Sequence, residues 1–221
     1  MGALGESLLD LVLPRRCVGC GVPARGLCPG CAGAGEPFRV ASAGQRVVAA
    51  GEYGGALRAA LLGYKERGRR ALAVELGQLL GAAAAAAAVD ATEFGWPVTL
   101  VPVPTSRARA RSRGGDHVLR LARRAERLVP GAQVATPLRL VRIPNDSAGL
   151  DLRERASNLA GAMVARPPRP GSGRAIVVDD IVTTGATLRE AGRALRACGW
   201  DVSGAAVVAA TARQGGKRRA D

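Results

Sequence analysis

Aromatic residues make up only 3% of this chain, two each of Trp, Tyr and Phe. A base-stacking platform of the single-strand-binding kind is therefore poorly supplied. His117 is the only histidine among 221 residues, and no Ser-His-Asp or Cys-His hydrolase arrangement can be built from it; a lone histidine is more often structural. Lysine is nearly absent: Lys65 and Lys217 are the only two among 32 cationic residues. The one Gly-Lys pair, Gly216-Lys217, is followed by Arg218 and has Thr211 where a first loop glycine belongs. A Gly-x-x-x-x-Gly-Lys-Ser/Thr phosphate loop is thus excluded.

Long apolar runs are also lacking. The largest, around Ala82–Val89, is alanine, too short and too weakly apolar to span a bilayer. The patch Leu8–Leu13 is short and its arginines follow it, so no secretory signal is expected. Met1-Gly2 lacks Ser or Thr at the sixth position, which argues against myristoylation. The expectation is a soluble cytoplasmic protein with no membrane insertion.

The net charge is +14 and the pI about 11.2, while 48% of residues are hydrophobic. That supports a sizeable core in one domain with a small appendage. The charge suits a nucleic acid or an anionic small substrate. Its near-exclusive arginine composition, amid abundant Ala and Gly, also fits a general compositional bias such as a GC-rich genome would produce.

Cysteine is concentrated at the N-terminal end. Cys17-x-x-Cys20 and Cys28-x-x-Cys31 are separated by seven residues and interleaved with Gly19, Gly21, Pro29 and Gly30. Two such turns aim four thiolates at one tetrahedral centre, as structural Zn2+ requires. A disulfide pair is the alternative, disfavoured in a reducing compartment. With no open position indicated, the zinc site is expected to be closed and structural. Cys198, in phase with Leu188 and Leu195, reads as a plain core residue.

Periodicity predicts a short amphipathic opening at Leu4–Val12, a strand over Gln45–Tyr53, and helices over Gly55–Tyr64 and Arg69–Val89 broken at Gly68. A buried strand follows at Val98–Val103. A helix over Asp116–Leu128 has Asp116 as N-cap and a stripe of Val118, Leu121, Ala122, Ala125 and Leu128. Then come a strand at Thr136–Val141, a short helix near Leu152–Ala165, and a loop at Arg166–Gly173. The chain ends with a strand at Ile176–Val178, a helix over Thr187–Cys198 ended by Gly199, and a strand at Val202–Ala210. Strands alternating with helices imply an α/β fold, a parallel or mixed sheet covered on both faces. The expected organisation is 1–35, an N-terminal helix and zinc knuckle; 36–212, the α/β domain; and 213–221, a disordered basic tail.

One stretch carries chemistry. Ile176–Val178 runs into Asp179-Asp180, then Ile181-Val182 and Thr183-Thr184-Gly185-Ala186-Thr187. A Walker B strand also ends in acids, but its phosphate loop is missing. A receiver-domain acidic pair belongs near the start of its fold. The third reading uses every residue: Thr183–Thr187 turns strand into helix, so amides and hydroxyls converge on an anion at the helix N-terminus. Gly185 lets the backbone approach closely. The carboxylates can accept hydrogen bonds from a vicinal diol, and a phosphate beside a diol is a ribose 5-phosphate.

Val177–Thr187 resembles the binding signature for phosphoribosyl pyrophosphate (PRPP) in type I phosphoribosyltransferases. The whole chain resembles the ComF family, associated with DNA uptake in natural competence. The likeness extends through the cysteine knuckle, Tyr53–Arg58, Tyr64–Gly68, Val101–Pro104, Arg113-Gly114, and Arg155 with Asn158. Where the family usually reads Arg-Gly-Phe-Asn-Gln, this chain has Arg113-Gly114-Gly115-Asp116-His117. Where a Gln usually precedes the Gly-Leu pair, it has Ser147 ahead of Gly149-Leu150.

The resemblance implies a type I phosphoribosyltransferase-like sheet flanked by helices, with a small four-cysteine module. It implies binding of PRPP with Mg2+, transfer of the phosphoribosyl group to an unidentified nucleobase or amine, and release of pyrophosphate. Asp179 and Asp180 become the catalytic pair on the ribose hydroxyls, beside growing positive charge. Thr183, Thr184, Gly185, Ala186 and Thr187 hold the 5-phosphate. Pro104, Thr105, Ser106 and Arg107 form the pyrophosphate loop, with Lys65 and Arg113 as candidate cations. The alternative is a non-catalytic module that senses PRPP or a nucleotide, or binds a partner such as DNA or a DNA-processing protein.

Overall fold

The computed structural model describes residues 16–32, 36–42, 45–112, 114–142 and 159–211. Within them the chain forms strands β1 (Phe38–Ser42) and β2 (Gln45–Glu52), then β3 (Val98–Pro102), β4 (Ala132–Val134), β5 (Leu138–Leu140) and β6 (Met163–Ala165), and last β7 (Arg174–Val182) and β8 (Val202–Ala210). The helices are α1 (Pro29–Ala32), α2 (Gly55–Glu66), α3 (Ala73–Glu93), α4 (Arg107–Ser112), α5 (His117–Ala125) and α6 (Ala186–Arg196). Short 3₁₀ turns at Arg70–Leu72 and Glu126–Leu128 precede α3 and follow α5.

Six strands form one sheet in the order β1-β2-β8-β7-β3-β4. Only β1 runs antiparallel to its neighbour; the other pairings are parallel. The central strands are continuous apolar runs because both faces are covered. On one face Val48, Leu100, Ile176, Val178 and Val208 pack under Leu61, Leu76, Leu80 and Leu121 from α2, α3 and α5. On the other, Val47, Val101, Val177 and Val207 meet Leu188, Ala191 and Leu195 of α6, with Leu138 and Met163 from the β5-β6 hairpin.

Glu190 and Arg193 fasten that hairpin to α6. The Met163 amide donates to Glu190 Oε1 at 3.0 Å and Arg193 donates to the Met163 carbonyl at 3.0 Å. Helix α3 with its preceding turn is long and apolar enough to cross a bilayer, yet half of it is buried. Leu76, Leu80, Ala83, Ala84 and Ala88 are all fully buried in the sheet-side cluster, so it is a core helix.

Several expectations change. Residues 163–165 are a strand rather than the end of a helix, because they pair antiparallel with Leu138–Leu140; residues 152–158 of that proposed helix lie outside the described residues. So do the amphipathic opening and the 213–221 tail. Strands β1 and β4 and helix α4 are additions. Leu128 is 47% exposed rather than part of the buried stripe. The helix tightens there into a 3₁₀ turn, and three residues per turn rotate Leu128 out of phase. Cys198 is half-buried, its thiol donating to the Ala165 carbonyl at 3.1 Å.

Candidate active site

Strands β3 and β7 lie side by side and parallel, yet their chains leave in opposite directions. After β3 the chain passes through α4 and α5 to β4 on one side; after β7 it passes through α6 to β8 on the other. Helices α5 and α6 also cover opposite faces. The carboxyl ends of β3 and β7 therefore flank a topological switch point, the crevice where open α/β sheets bind ligands. The proposed pyrophosphate turn and the acidic pair stand at those two ends.

Strand β7 does not stop at Val178. Its ladder to β8 continues through Asp179, paired with Val207, to Val182, paired with Ala210, because β8 offers an equally long apolar partner. The two acids are thus strand residues, and alternation sends them to opposite faces. Asp180 shares the face of Ile176 and Val178, towards α2 and α5. There its Oδ2 receives Lys65 Nζ at 2.7 Å and His117 Nε2 at 3.1 Å. Asp179 is half-buried, and its Oδ1 accepts from the Asp180 amide at 2.8 Å.

The electrostatics separate the pair. Burial, then the neighbouring Asp180 charge, pushes the Asp179 carboxyl well above the usual range. Burial acts the same way on Asp180, but the His117 hydrogen bond and the Lys65 ammonium outweigh it and hold that carboxyl below the usual range. The surroundings thus shift the two adjacent acids in opposite directions.

The proposed pyrophosphate turn is held from below. The Thr105 amide donates to Asp116 Oδ2 at 3.3 Å, and Thr105 Oγ1 lies 3.4 Å from Asp116 Oδ1 and 3.3 Å from His117 Nδ1. Asp116 also caps α5, accepting from the Leu119 amide at 3.1 Å, as expected of an Asp in that position. Ser106 is the last turn residue; its carbonyl accepts from the Ala110 amide, and Arg107 already begins α4. Arg113 lies outside the described residues. On the β7 side, Thr183 is exposed and Thr184 Oγ1 accepts from the Ala186 amide at 3.2 Å. Gly185 caps α6 with φ 74°, a left-handed conformation where a side chain would be strained. Ala186 is buried and Thr187 half-buried in the first turn of the helix.

Sequence reasoning missed how His117 is used. It is buried, and its ring joins the Thr105 turn to Asp180. Tyr64, whose phenol is pushed up by burial, donates to the His117 carbonyl at 3.0 Å and fixes the start of α5 against α2. The available signal was local: a lone histidine directly after an N-cap, where the resembled family carries an amide. Among the arginines, Arg120 turns inward to the Gly114 carbonyl and Tyr64. Arg109, Arg111, Arg123, Arg124 and Arg127 are exposed.

The four predicted cysteines do converge: the Sγ atoms of Cys17, Cys20, Cys28 and Cys31 all lie within 4.8 Å of one another. Cys20 and Cys28 are 3.6 Å apart, against about 3.8 Å between sulfurs in a tetrahedron with bonds of roughly 2.3 Å. The Gly19 and Cys28 amides donate to Cys17 Sγ at 3.4 and 3.3 Å. A Cβ on Gly19 would stand 2.8 Å from Cys31 Sγ and 2.5 Å from the Ala56 Cβ of α2. Amides of Cys20 and Cys28 lower the Cys17 thiol to about 6, while the Cys20 and Cys28 sulfurs push Cys31 up to about 12. A divalent cation removes that conflict by making all four thiolates acceptable, so the donor set fits zinc.

No curated protein matches the chain. Residues 118–221 match the family described as the phosphoribosyl transferase domain. That segment contains most of α5, the acidic pair, the threonine loop and α6. The chain thus combines a C-terminal segment similar to the phosphoribosyl transferase domain with, at its N-terminal end, a four-cysteine cluster compatible with zinc.

Proposed function

We propose that this chain binds PRPP and transfers its phosphoribosyl group to a nucleobase or amine with release of pyrophosphate. The observation that carries the reading is the switch-point crevice, with the Thr105 turn on one wall and Asp179-Asp180, the threonine loop and the α6 N-terminus on the other. Thr183–Thr187 anchor the 5-phosphate, so a part of the substrate that does not react fixes the geometry of the part that does. The Pro104–Ser106 turn, with Arg107, receives the pyrophosphate. Asp179 and Asp180 approach the ribose hydroxyls, where a negative field favours the positive charge that grows as pyrophosphate leaves.

Magnesium bound together with PRPP would supply neutralisation of the charge on the leaving group. Lys65 is committed to Asp180 and serves the pyrophosphate only through that acid. The cysteine cluster holds zinc in a closed structural site.

Within the ComF family this reading places the chain in the cytoplasm, linked to DNA uptake or processing, with DNA or a DNA-processing protein as partner. A second reading, a sensor that binds PRPP without turnover, is favoured by one observation: His117 occupies Asp180 from the side where the resembled family carries an amide. Calorimetry with PRPP and magnesium, beside pyrophosphate release with a panel of bases and amines, tests both. Binding with release supports transfer, and binding without release on any acceptor supports the sensor. A chain that ignores PRPP fits neither.

A further inference from the structure

We propose that His117 is a positioning residue that couples the two walls of the crevice, making occupancy of the pyrophosphate turn felt at the ribose-side acid. This rests on the phosphoribosyl reading above. The imidazole is anchored before any ligand arrives: Asp116 caps its helix, Tyr64 holds its carbonyl, and its side chain is only 8% exposed.

Donor and acceptor capacities then assign the ring. The Asp180 carboxylate offers only lone pairs, so Nε2, at 3.1 Å from Oδ2, carries the hydrogen. In the neutral ring Nδ1 must accept, and its partner at 3.3 Å is the Thr105 hydroxyl. That hydroxyl has one proton and two acceptors within reach, Nδ1 and, at 3.4 Å, Asp116 Oδ1, which already accepts from the Leu119 amide. The proton can serve only one of them at a time.

A pyrophosphate oxygen at the turn is a third and stronger acceptor, since hydrogen bonds to an anion are roughly twice as strong as neutral ones. When Thr105 turns its proton to the ligand, Nδ1 is left without a donor in a buried setting, which is costly. The ring must readjust, and the same ring holds Asp180. A histidine that merely filled space would not link these events.

The single histidine makes the test direct. In the 15N-labelled full chain at pH 8, the two imidazole nitrogens are identified without assignment, and magnesium pyrophosphate is the probe. The free protein should show the Nε2–H tautomer, with Nδ1 moved by the T105A substitution and Nε2 by D180N. Saturating pyrophosphate, verified by calorimetry, should move Nδ1 in the wild type and leave it unmoved in T105A. Affinity for pyrophosphate should rise about 5- to 10-fold in H117F, which keeps a ring but removes the acceptor that competes for the Thr105 proton. It should stay within about threefold in H117Q, whose amide can both donate and accept. Circular dichroism checks that both variants fold, and H117Q with T105A decide the matter if H117F does not. An Nδ1–H tautomer, or bound pyrophosphate with no response at Nδ1, overturns the coupling and leaves the phosphoribosyl reading standing. Failure of the wild type to bind pyrophosphate overturns the reading of the turn and the coupling with it.

Discussion

Replacing Lys65 by Met keeps an unbranched stem of similar length and deletes the ammonium that lies 2.7 Å from Asp180. A hydrogen bond to a charged group contributes about 1.5–3 kcal/mol, and breaking a fully buried pair costs about 3–5 kcal/mol. Here the Lys65 side chain is 22% exposed and that of Asp180 only 5%. Water can reach one partner, and His117 still serves the other, so the expected loss is about 2–3 kcal/mol at pH 7. In urea that shifts the unfolding midpoint by about 1 M.

The pH dependence has a defined sign. Asp180 is held below the usual carboxylate range, so its stabilisation is full above the ordinary value near 4 and is lost as pH falls through the folded value. Asp179 is raised, and Lys65 is among the groups restraining that rise. Removing the ammonium raises it further, so the variant goes on losing stability with rising pH beyond the point where the wild type levels off. From Asp180 the difference between wild type and Lys65→Met holds through the usual carboxylate range and closes only as pH falls through the lowered folded value; from Asp179 it widens as pH rises. Equal urea midpoints at pH 7, or a difference that grows as pH falls from 7 to 3.5, would refute the reasoning.

Cys20→Ser should abolish the roughly one zinc per chain expected of a closed four-sulfur site, while PRPP binding largely persists; metal analysis of freshly reduced protein decides. Thr184→Val should weaken 5-phosphate capture by about 1–3 kcal/mol and cost about 0.5–2 kcal/mol of stability, since its hydroxyl accepts from the Ala186 amide; calorimetry and thermal unfolding separate the two losses. Asp179→Asn with Asp180→Asn should lower turnover by orders of magnitude while PRPP affinity changes less or rises, and an equal loss in both would remove the acids from the reacting centre. If Arg109, Arg111, Arg123, Arg124 and Arg127, all exposed, meet a nucleic acid backbone, affinity for single-stranded DNA should fall steeply with salt; a flat salt response counts against that contact.

Where a residue's role is decided by its near neighbours, it was legible in the sequence. Strand β8 matches its predicted bounds because nine consecutive residues are small or apolar after the turn at residues 197–199. Asp116 was readable as an N-cap, and the threonine loop as a strand-to-helix turn around one glycine. Strand β1 was not, because an edge strand shows one half-exposed face and a weak alternation. Residues 163–165 have a strand's environment only through pairing with residues 138–140. Their local pattern suits a helix equally well.

The site divides along the same line. Its acids, loop and turn are short motifs, but what tunes them arrives from far along the chain. His117 stands 63 positions before Asp180 and Tyr64 another 53 before His117. Asp116 shows why such links stay hidden. As a cap it needs only the Leu119 amide, and the sequence explains it completely on that ground. Its second oxygen accepts the Thr105 amide, and its first lies beside the Thr105 hydroxyl. One carboxylate thus fixes the start of α5, the conformation of the turn, and through both the position of the His117 ring. Asp116→Ser would test whether these duties are separable. A Ser can cap the helix as well as an Asp, so α5 should survive, but it has one oxygen where Asp has two. If the turn depends on the second, Asp116→Ser should weaken pyrophosphate binding about 3- to 10-fold with little loss of stability. Unchanged binding would mean that the cap alone accounts for the residue, and that the turn is held by Pro102, Pro104 and the β3 ladder without it.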